Sequence, residues 1–590
     1  MKKKLIALAI CLAIPFAAAH FLPYAEFTPV SAATITENGF TITDGIVTGY
    51  SGEETALVIP DSATKIGSGA FNNKTGITSV TIPNTVTEIG NSAFSGCTAL
   101  QTVTMSDNVD TIGEYAFRNC TSLRSLRLSE GTVTIGRYAF IGCSSLGALS
   151  LPDSVVDVGN HLFSGCVNLT DVTLGKGVRA GINVDTFENC GRMHDITVIE
   201  GNPAYSSNGG VLFNRTGEKL IFYPHGRTDY TYAIPETTKI IGERSFYGLT
   251  ALTEISVEFA ETVEANAFAE CTGLTSVSIG NTVKSIGYRA FYNDSKIETL
   301  SVGNAVESIG GDAFRNCSSI TSLTLYHVQT IGASAFQDCA KLATVSIGND
   351  ITSISTSAFY NNTALKNLTL GNQLEVIGSE AFRYCTSLTN VTIPDSTYQI
   401  DNHAFSGCSN LRSVTFSSSL ESIGNYAFSS TALTSVTVPS LVTSLPTGIF
   451  RDCQKLTSVT LPETLLTIKN EAFMGCVLLP SIDIPDGVVS IGDNALRSCA
   501  VLKNIAIPDS VETMGASVLA ECSALQSATM PKDMEVLPSY TFYNCQKLTS
   551  VTLPTALLKI DTGAFEGCKI FPSIEISDGV TSIGDHAFEG

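Results

Sequence analysis

Positive charge is scarce in this chain. Its 590 residues carry 34 Lys and Arg against 55 Asp and Glu, a formal net charge of −21, so it offers no polycation for a nucleic acid to meet. Long apolar runs are missing too. After the N-terminal segment no 18 consecutive residues are apolar, and nothing later in the chain is expected to span a membrane. No Cys-x-x-Cys pair occurs, which removes local support for a zinc site. Gly-x-Ser-x-Gly elbows, His-Glu-x-x-His pairs and glycine-rich phosphate loops are also absent. We therefore expect no enzyme, no cofactor and no metal.

What is present is a repeat. An Ala-Phe pair marks it, with the Phe at positions 71, 94, 117, 140, 163 and 187, and then from 246 to 473 and from 542 to 588; Leu496 and Leu519 stand in at two places. The 22 markers lie 22 to 24 residues apart except for one step of 59, which is one ordinary repeat plus 36 residues. A fixed period of this size marks a solenoid, in which each turn contacts only its neighbours.

Aligned on Phe94, the unit reads Ile-Gly-x-x-Ala-Phe-x-x-Cys-x-x-Leu-x-x-Val-x-Ile-Pro-x-x-Val. Its second half alternates with period two and is β-branched, which predicts a short strand. Its first half spaces apolar residues three apart behind a Ser, Asn or Asp, which predicts a capped single helical turn. Neither piece can bury its apolar side alone, so the coils must stack with their strands parallel and about 4.8 Å apart. The Gly four residues before the marker occupies 14 of the 22 units, but Pro446 and Pro538 share its slot, so a tight corner with negative φ is expected there.

This unit resembles the BspA-like branch of the leucine-rich repeats, and residues 34 to 590 fit it almost throughout. Its Cys precedes the strand, unlike the plain pattern in which Asn or Cys follows it. The resemblance implies an α/β fold: a leucine-rich repeat solenoid of about 22 turns, with a parallel sheet on one face and short helical turns and loops on the other. It also implies attachment to extracellular-matrix proteins, although a fold is only a scaffold for function.

The chain divides as follows. Residues 1–33, with Lys2 to Lys4, an apolar run from Leu5 to Ala19 and small residues before Thr34, read as a secretory signal peptide cleaved after Ala33. Its removal leaves 31 basic and 54 acidic residues. Residues 34–70 read as an N-terminal cap and lead-in repeat, 71–195 as leucine-rich repeats, 196–235 as an insert containing a β-hairpin, and 236–590 as further repeats with an uncapped C-terminus. The insert concentrates Tyr205, Phe213, Phe222, Tyr223, Tyr230 and Tyr232, which are read mainly as packing the hairpin onto the coil and alternatively as partner anchors.

All 16 cysteines after Cys11 lie three residues past a marker. Stacked side chains that point the same way nearly 5 Å apart suit disulfide geometry poorly, and Cys271 has Leu249 and Asp294 in the neighbouring slots. A column of buried free thiols is expected. The seven histidines are read as isolated, with no shared repeat position.

Function is assigned to the strand face. Its outward positions are mostly hydroxyls, as at Thr102 and Thr104, Ser413 and Thr415, and Ser458 and Thr460. Strand propensity alone would favour Thr here. The alternative is a broad, weakly charged hydrogen-bonding surface for extracellular protein or glycan ligands. Charges interrupt it at Arg127, Asp171, Asp195, Glu254, Asp483 and Glu575, and Asp171, Asp195 and Glu254 are expected to form an acidic patch beside the hairpin. The reading is therefore a secreted or surface adhesion protein, expected to be monomeric. A non-adhesive spacer or coat component is the alternative, and ice binding through the Thr columns is a weaker third.

Overall fold

The computed structural model describes residues 33–572 and 574–590. The expected export signal, all but Ala33, lies outside the described residues. The rest is a β-solenoid of about 23 turns. Each ordinary coil contributes a strand such as Ser79–Thr81 and a second, two-residue strand such as Glu88–Ile89. The second kind forms the longer ladders. One sheet of eight strands runs from Thr34 to Val158, and one of twelve runs from Tyr205 to Ile423.

The expected helical turns are not formed, and the α/β description is corrected accordingly. The only helical element among the described residues is a single 3-10 turn, Val184–Phe187. The backbone explains this. In most coils the residues two before and two after the marker are left-handed, as at Tyr115 (φ 55°) and Asn119 (φ 56°) around Phe117. Two left-handed residues four apart cannot belong to a right-handed helix. The segment instead makes paired turns whose amides reach the next coil: Ser92, Phe94 and Gly96 donate to the carbonyls of Glu114, Ala116 and Arg118 at 2.7, 2.8 and 2.7 Å. The polar residue read as a helix cap serves the same purpose, since Asn91 Oδ1 accepts from Glu114 N–H at 2.8 Å.

The glycine four before the marker takes a negative φ at Gly90 and Gly113, which are not among the left-handed residues. Its use is closeness. A Cβ on Gly90 would lie 2.8 Å from the Ile66 carbonyl oxygen of the preceding coil.

The marker rings form a buried column. Phe71 and Phe94 stack with centroids 4.9 Å apart, and the column continues through Phe291, Phe314 and Phe336 at 5.0 and 5.3 Å. Beside it runs the column of 16 thiols, all free and buried. Each thiol also has a hydrogen-bonding role, because Cys97 S–H donates to the Phe71 carbonyl at 3.1 Å and Cys120 S–H to that of Phe94 at 3.2 Å. Burial holds their pKa values up, to about 11 at Cys97 and about 12 at Cys190, which keeps them protonated and inert.

The 36 extra residues form an antiparallel meander of three strands, Tyr205–Asn208, Val211–Asn214 and Lys219–Phe222. Its last strand pairs in parallel with Ile240–Ile241 and so starts the twelve-stranded ladder. The N-terminal strands Thr34–Glu37, Phe40–Thr43 and Ile46–Tyr50 start the eight-stranded ladder in the same way. The hydrophobic interior divides here: Leu212 and Phe222 pack with the N-terminal core, Val211, Phe213, Leu220 and Tyr223 with the C-terminal one.

Three measurements test this packing. Thiol titration of unfolded, unreduced residues 34–590 should give one thiol for each of the 16 cysteines from Cys97 to Cys568, and the folded protein should react slowly. Phe314→Ala should lose about 3 to 5 kcal/mol, read as a lowered denaturant midpoint. Asp294, in a cysteine slot, is fully buried with both carboxyl oxygens unpartnered, and burial holds its pKa well above the usual range. A raised folded pKa means that the folded state binds the proton more tightly, so stability falls as pH rises above the unfolded value near about 3.9 and keeps falling up to the raised folded value. Asp294→Cys should therefore gain about 1 to 3 kcal/mol at neutral pH. The gain should shrink at acid pH.

Candidate binding face

Each first strand turns its middle residue inward and its flanking residues outward, because side chains alternate along a strand. In Thr102–Thr104 Val103 is buried and both threonines are exposed. Parallel pairing in register then builds columns: Ser79 and Thr81 lie opposite Thr102 and Thr104, and Ser435 and Thr437 lie opposite Ser458 and Thr460. Ser413 and Thr415 are likewise exposed and pair with Asn390 and Thr392.

This face is not one continuous sheet. Its ladders hold four, three, four, three, two, two and three strands. A groove of about 720 Å³ opens between Ser413–Thr415 and Ser435–Thr437. Phe416 stands where neighbouring coils carry an aliphatic residue such as Ile393, and its ring meets Phe428 edge-on with centroids 5.3 Å apart. The bond that Ile393 N–H makes to the Thr415 carbonyl (2.9 Å) has no equivalent from Phe416 to the next coil. A buried Ser417 replaces the usual Pro and donates from its hydroxyl to the Asp395 carbonyl at 3.2 Å. The groove therefore has a partly apolar floor under the hydroxyls of Ser413, Thr415, Ser435, Thr437 and Thr460. Phe416, Ser435 and Thr437 carry a groove that the repeat reading did not find, although Phe-Ser in place of Ile-Pro was its signal.

The acidic residues are only partly brought together. Asp171 and Asp195 lie side by side in one ladder. Asp171 accepts from the Thr170 hydroxyl at 2.6 Å, and Asp195 lies 3.6 Å from Arg227. Glu254 belongs to another ladder, between Thr231 and Ser276. Arg227 also holds Asp229 at 2.9 Å and lies over the Tyr223 ring, so positive charge sits within the expected acidic patch. Hydrogen bonds from Tyr223 and then Arg227 hold the Asp229 carboxyl below its usual range. Arg127 pairs loosely with Glu130, and Asp483 lines a smaller groove with Glu463 and Asp486. Glu575 is exposed.

Most rings of the insert pack inward. Tyr205, Phe213, Phe222 and Tyr223 are buried, and Ile182 N–H donates to the Tyr205 hydroxyl at 3.1 Å; Tyr230 is 71% exposed. The histidines need a correction. His161, His403 and His586 share the slot two before the marker, each left-handed, and His161 and His403 stack on Tyr138 and Tyr426 at 5.0 and 5.1 Å. No group of three or more His, Cys, Asp or Glu among the described residues could hold a metal ion. No helix among them is long and apolar enough to cross a membrane.

The sequence profile described as BspA type Leucine rich repeat region (6 copies) matches this chain over residues 50–146, 120–212, 222–327, 285–399, 329–457, 375–482 and 466–590. The chain belongs to the BspA-type leucine-rich repeat family. Within 50–590 the matched stretches leave out only residues 213–221, which lie in the meander where the two cores divide. Among solved structures, a leucine-rich repeat protein from Bacteroides ovatus is 21% identical, with 89% of this chain and 99% of that one covered and a TM-score of 0.38. A leucine rich cell surface protein from Faecalibacterium prausnitzii is 23% identical, with 73% and 95% covered and a TM-score of 0.32. The pneumococcal vaccine antigen PcpA is 21% identical, with 63% and 94% covered and a TM-score of 0.36. At these values the likenesses carry no further argument, and the assignment rests on the repeats. Among curated proteins none matches this chain.

Phe416→Ile should let this BspA-type coil pair with its neighbour and narrow the groove. Hydrogen exchange at the residue 416 amide should slow, and unchanged exchange would show that the ring does not hold the ladder open.

Proposed function

We propose that this BspA-type repeat protein is a secreted or cell-surface binding protein that engages extracellular protein or glycan ligands along its hydroxyl-lined strand face. One observation carries the reading: serine and threonine columns stand exposed and in register across neighbouring coils, on a face with few charges. Aligned hydroxyls offer both donors and acceptors at a regular spacing, which suits an extended partner that repeats along its own length. The segment from Lys2 to Ala33 supports export. Ligand contact is placed at Thr102, Thr104, Ser413, Thr415, Ser458 and Thr460, with Asp171, Asp195 and Glu254 as charged neighbours.

Arrays of glycans and extracellular-matrix proteins, probed with residues 34–590, test this function. Reproducible binding that drops at least about tenfold, the loss of roughly one good hydrogen-bonded contact, in a Thr437→Val and Thr460→Val double variant is the expected result. Silence across both arrays would favour a spacer or coat component instead.

A further inference from the structure

The insert supplies the interior of one coil but not its outer wall. In an ordinary coil the turn segment around the marker donates three amides to the next coil, as Tyr138, Phe140 and Gly142 do to Asn160, Leu162 and Ser164. Between the walls built on Phe187 and Phe246 the interior column continues, with Phe222 stacked 4.9 Å from Phe187 and Tyr223 stacked 5.0 Å from Phe246. The chain then turns back at Pro224 to Gly226, where Gly226 N–H donates to the Met193 carbonyl at 2.7 Å. One layer of wall is thus left out, and a recess of about 560 Å³ stands in its place.

The recess has the thickness and the chemistry of a ring site. Phe222 and His225 line its inner end, the His225 ring lying 5.2 Å from that of Phe222. Val184, Val167 and Tyr247 line its sides and mouth, the last two exposed. Arg244 reaches across from one wall to the other, with its Nη1 2.6 Å from Asp185 and its guanidinium over the Tyr247 ring. That pairing leaves the arginine neutralised, and Glu188 at the rim is the nearest uncompensated charge apart from a 3.7 Å approach to His161. An anionic ligand would therefore gain nothing here. His225 Nε2 is sealed from solvent and has no hydrogen-bond partner, so His225 meets the recess as an apolar ring. Burial, with Arg244 beside it, pushes this imidazole down to about 4, so at neutral pH the ring is uncharged.

We infer that this recess is a binding site for a neutral planar aromatic ring, such as an indole or a phenol, which takes the place of the missing wall layer beside the Phe222 and His225 rings. The volume lies within the range of small-molecule pockets, and adjacent rings in this protein already stack one per coil. The ring can arrive as a free small molecule or as the side chain of a partner peptide. This inference does not rest on the strand face.

The chain contains no Trp, so indole fluorescence, excited beyond the tyrosine band, reports the probe alone. Free indole and N-acetyl-tryptophanamide would be titrated with the full chain, the first standing for a small molecule and the second for a peptide side chain. Saturable binding of either is the expected result. A Cβ at Gly191 meets nothing within 4 Å, so Gly191→Phe should fill the recess, leave the melting temperature unchanged and abolish binding. Val167→Phe at the mouth is a second plug should the first fail to fold. No binding of either probe, or binding that survives a folded plug variant, would overturn the site.

Discussion

Coil-to-coil hydrogen bonding in register is the constraint from which the rest follows. Most coils donate to and accept from their neighbours through two strands and a turn segment, so equivalent residues must lie directly above one another. Once that holds, a residue type repeated in sequence becomes a column in space. The Phe column buries ring on ring, the Cys column donates to carbonyls of the preceding coil, and the Asn and Asp residues at the corner accept amides of the following one. No helix is needed, because the left-handed residues on either side of the marker turn the chain while leaving its amides free to reach across.

The same constraint explains where departures matter. A substitution in one coil is felt by the coils on both sides, so Phe416 floors a groove where its ladder stops and Asp294 leaves two oxygens unpaired inside a column of thiols. The insert is the largest departure. It restarts the long ladder with an antiparallel meander like the one at the N-terminus, divides the hydrophobic interior in two, and omits one layer of wall. Interior continuity is kept by Phe222 and Tyr223, adjacent residues that face opposite cores. The outer wall has no such substitute.

Legibility followed the length of the signal. Phe94, Cys97 and the outward Thr102 and Thr104 could be read because they recur more than a dozen times at one phase. The strand Glu88–Ile89 could not, since two residues are too few to show alternation. The spacing Gly-x-x-Ala-Phe-x-x-Cys suits a helical turn and a pair of β-turns equally well, and nothing in composition announces left-handed backbone when the residues are Tyr115, Arg289 or Glu471. The shared slot of His161, His403 and His586 was available from spacing alone. Asp171 and Asp195 were legible as neighbours because one coil separates them. That Glu254 falls in a separate ladder was not, since the path of the meander depends on which core each of its faces joins.

By itself, the sequence determined the coil count to within about one turn, the inward Phe and Cys columns, the free thiols and the outward hydroxyls. All of these follow from periodicity, which converts position along the chain into position across the stack. Only the tertiary structure decided that the coils are built of strands and turns with a single 3-10 turn among the described residues, that the strand face is cut into short ladders with a groove at Phe416, and that His225, Arg244 and Tyr247 meet across a missing layer. Those depend on contacts between coils that are not equivalent, and no repeat pattern encodes them.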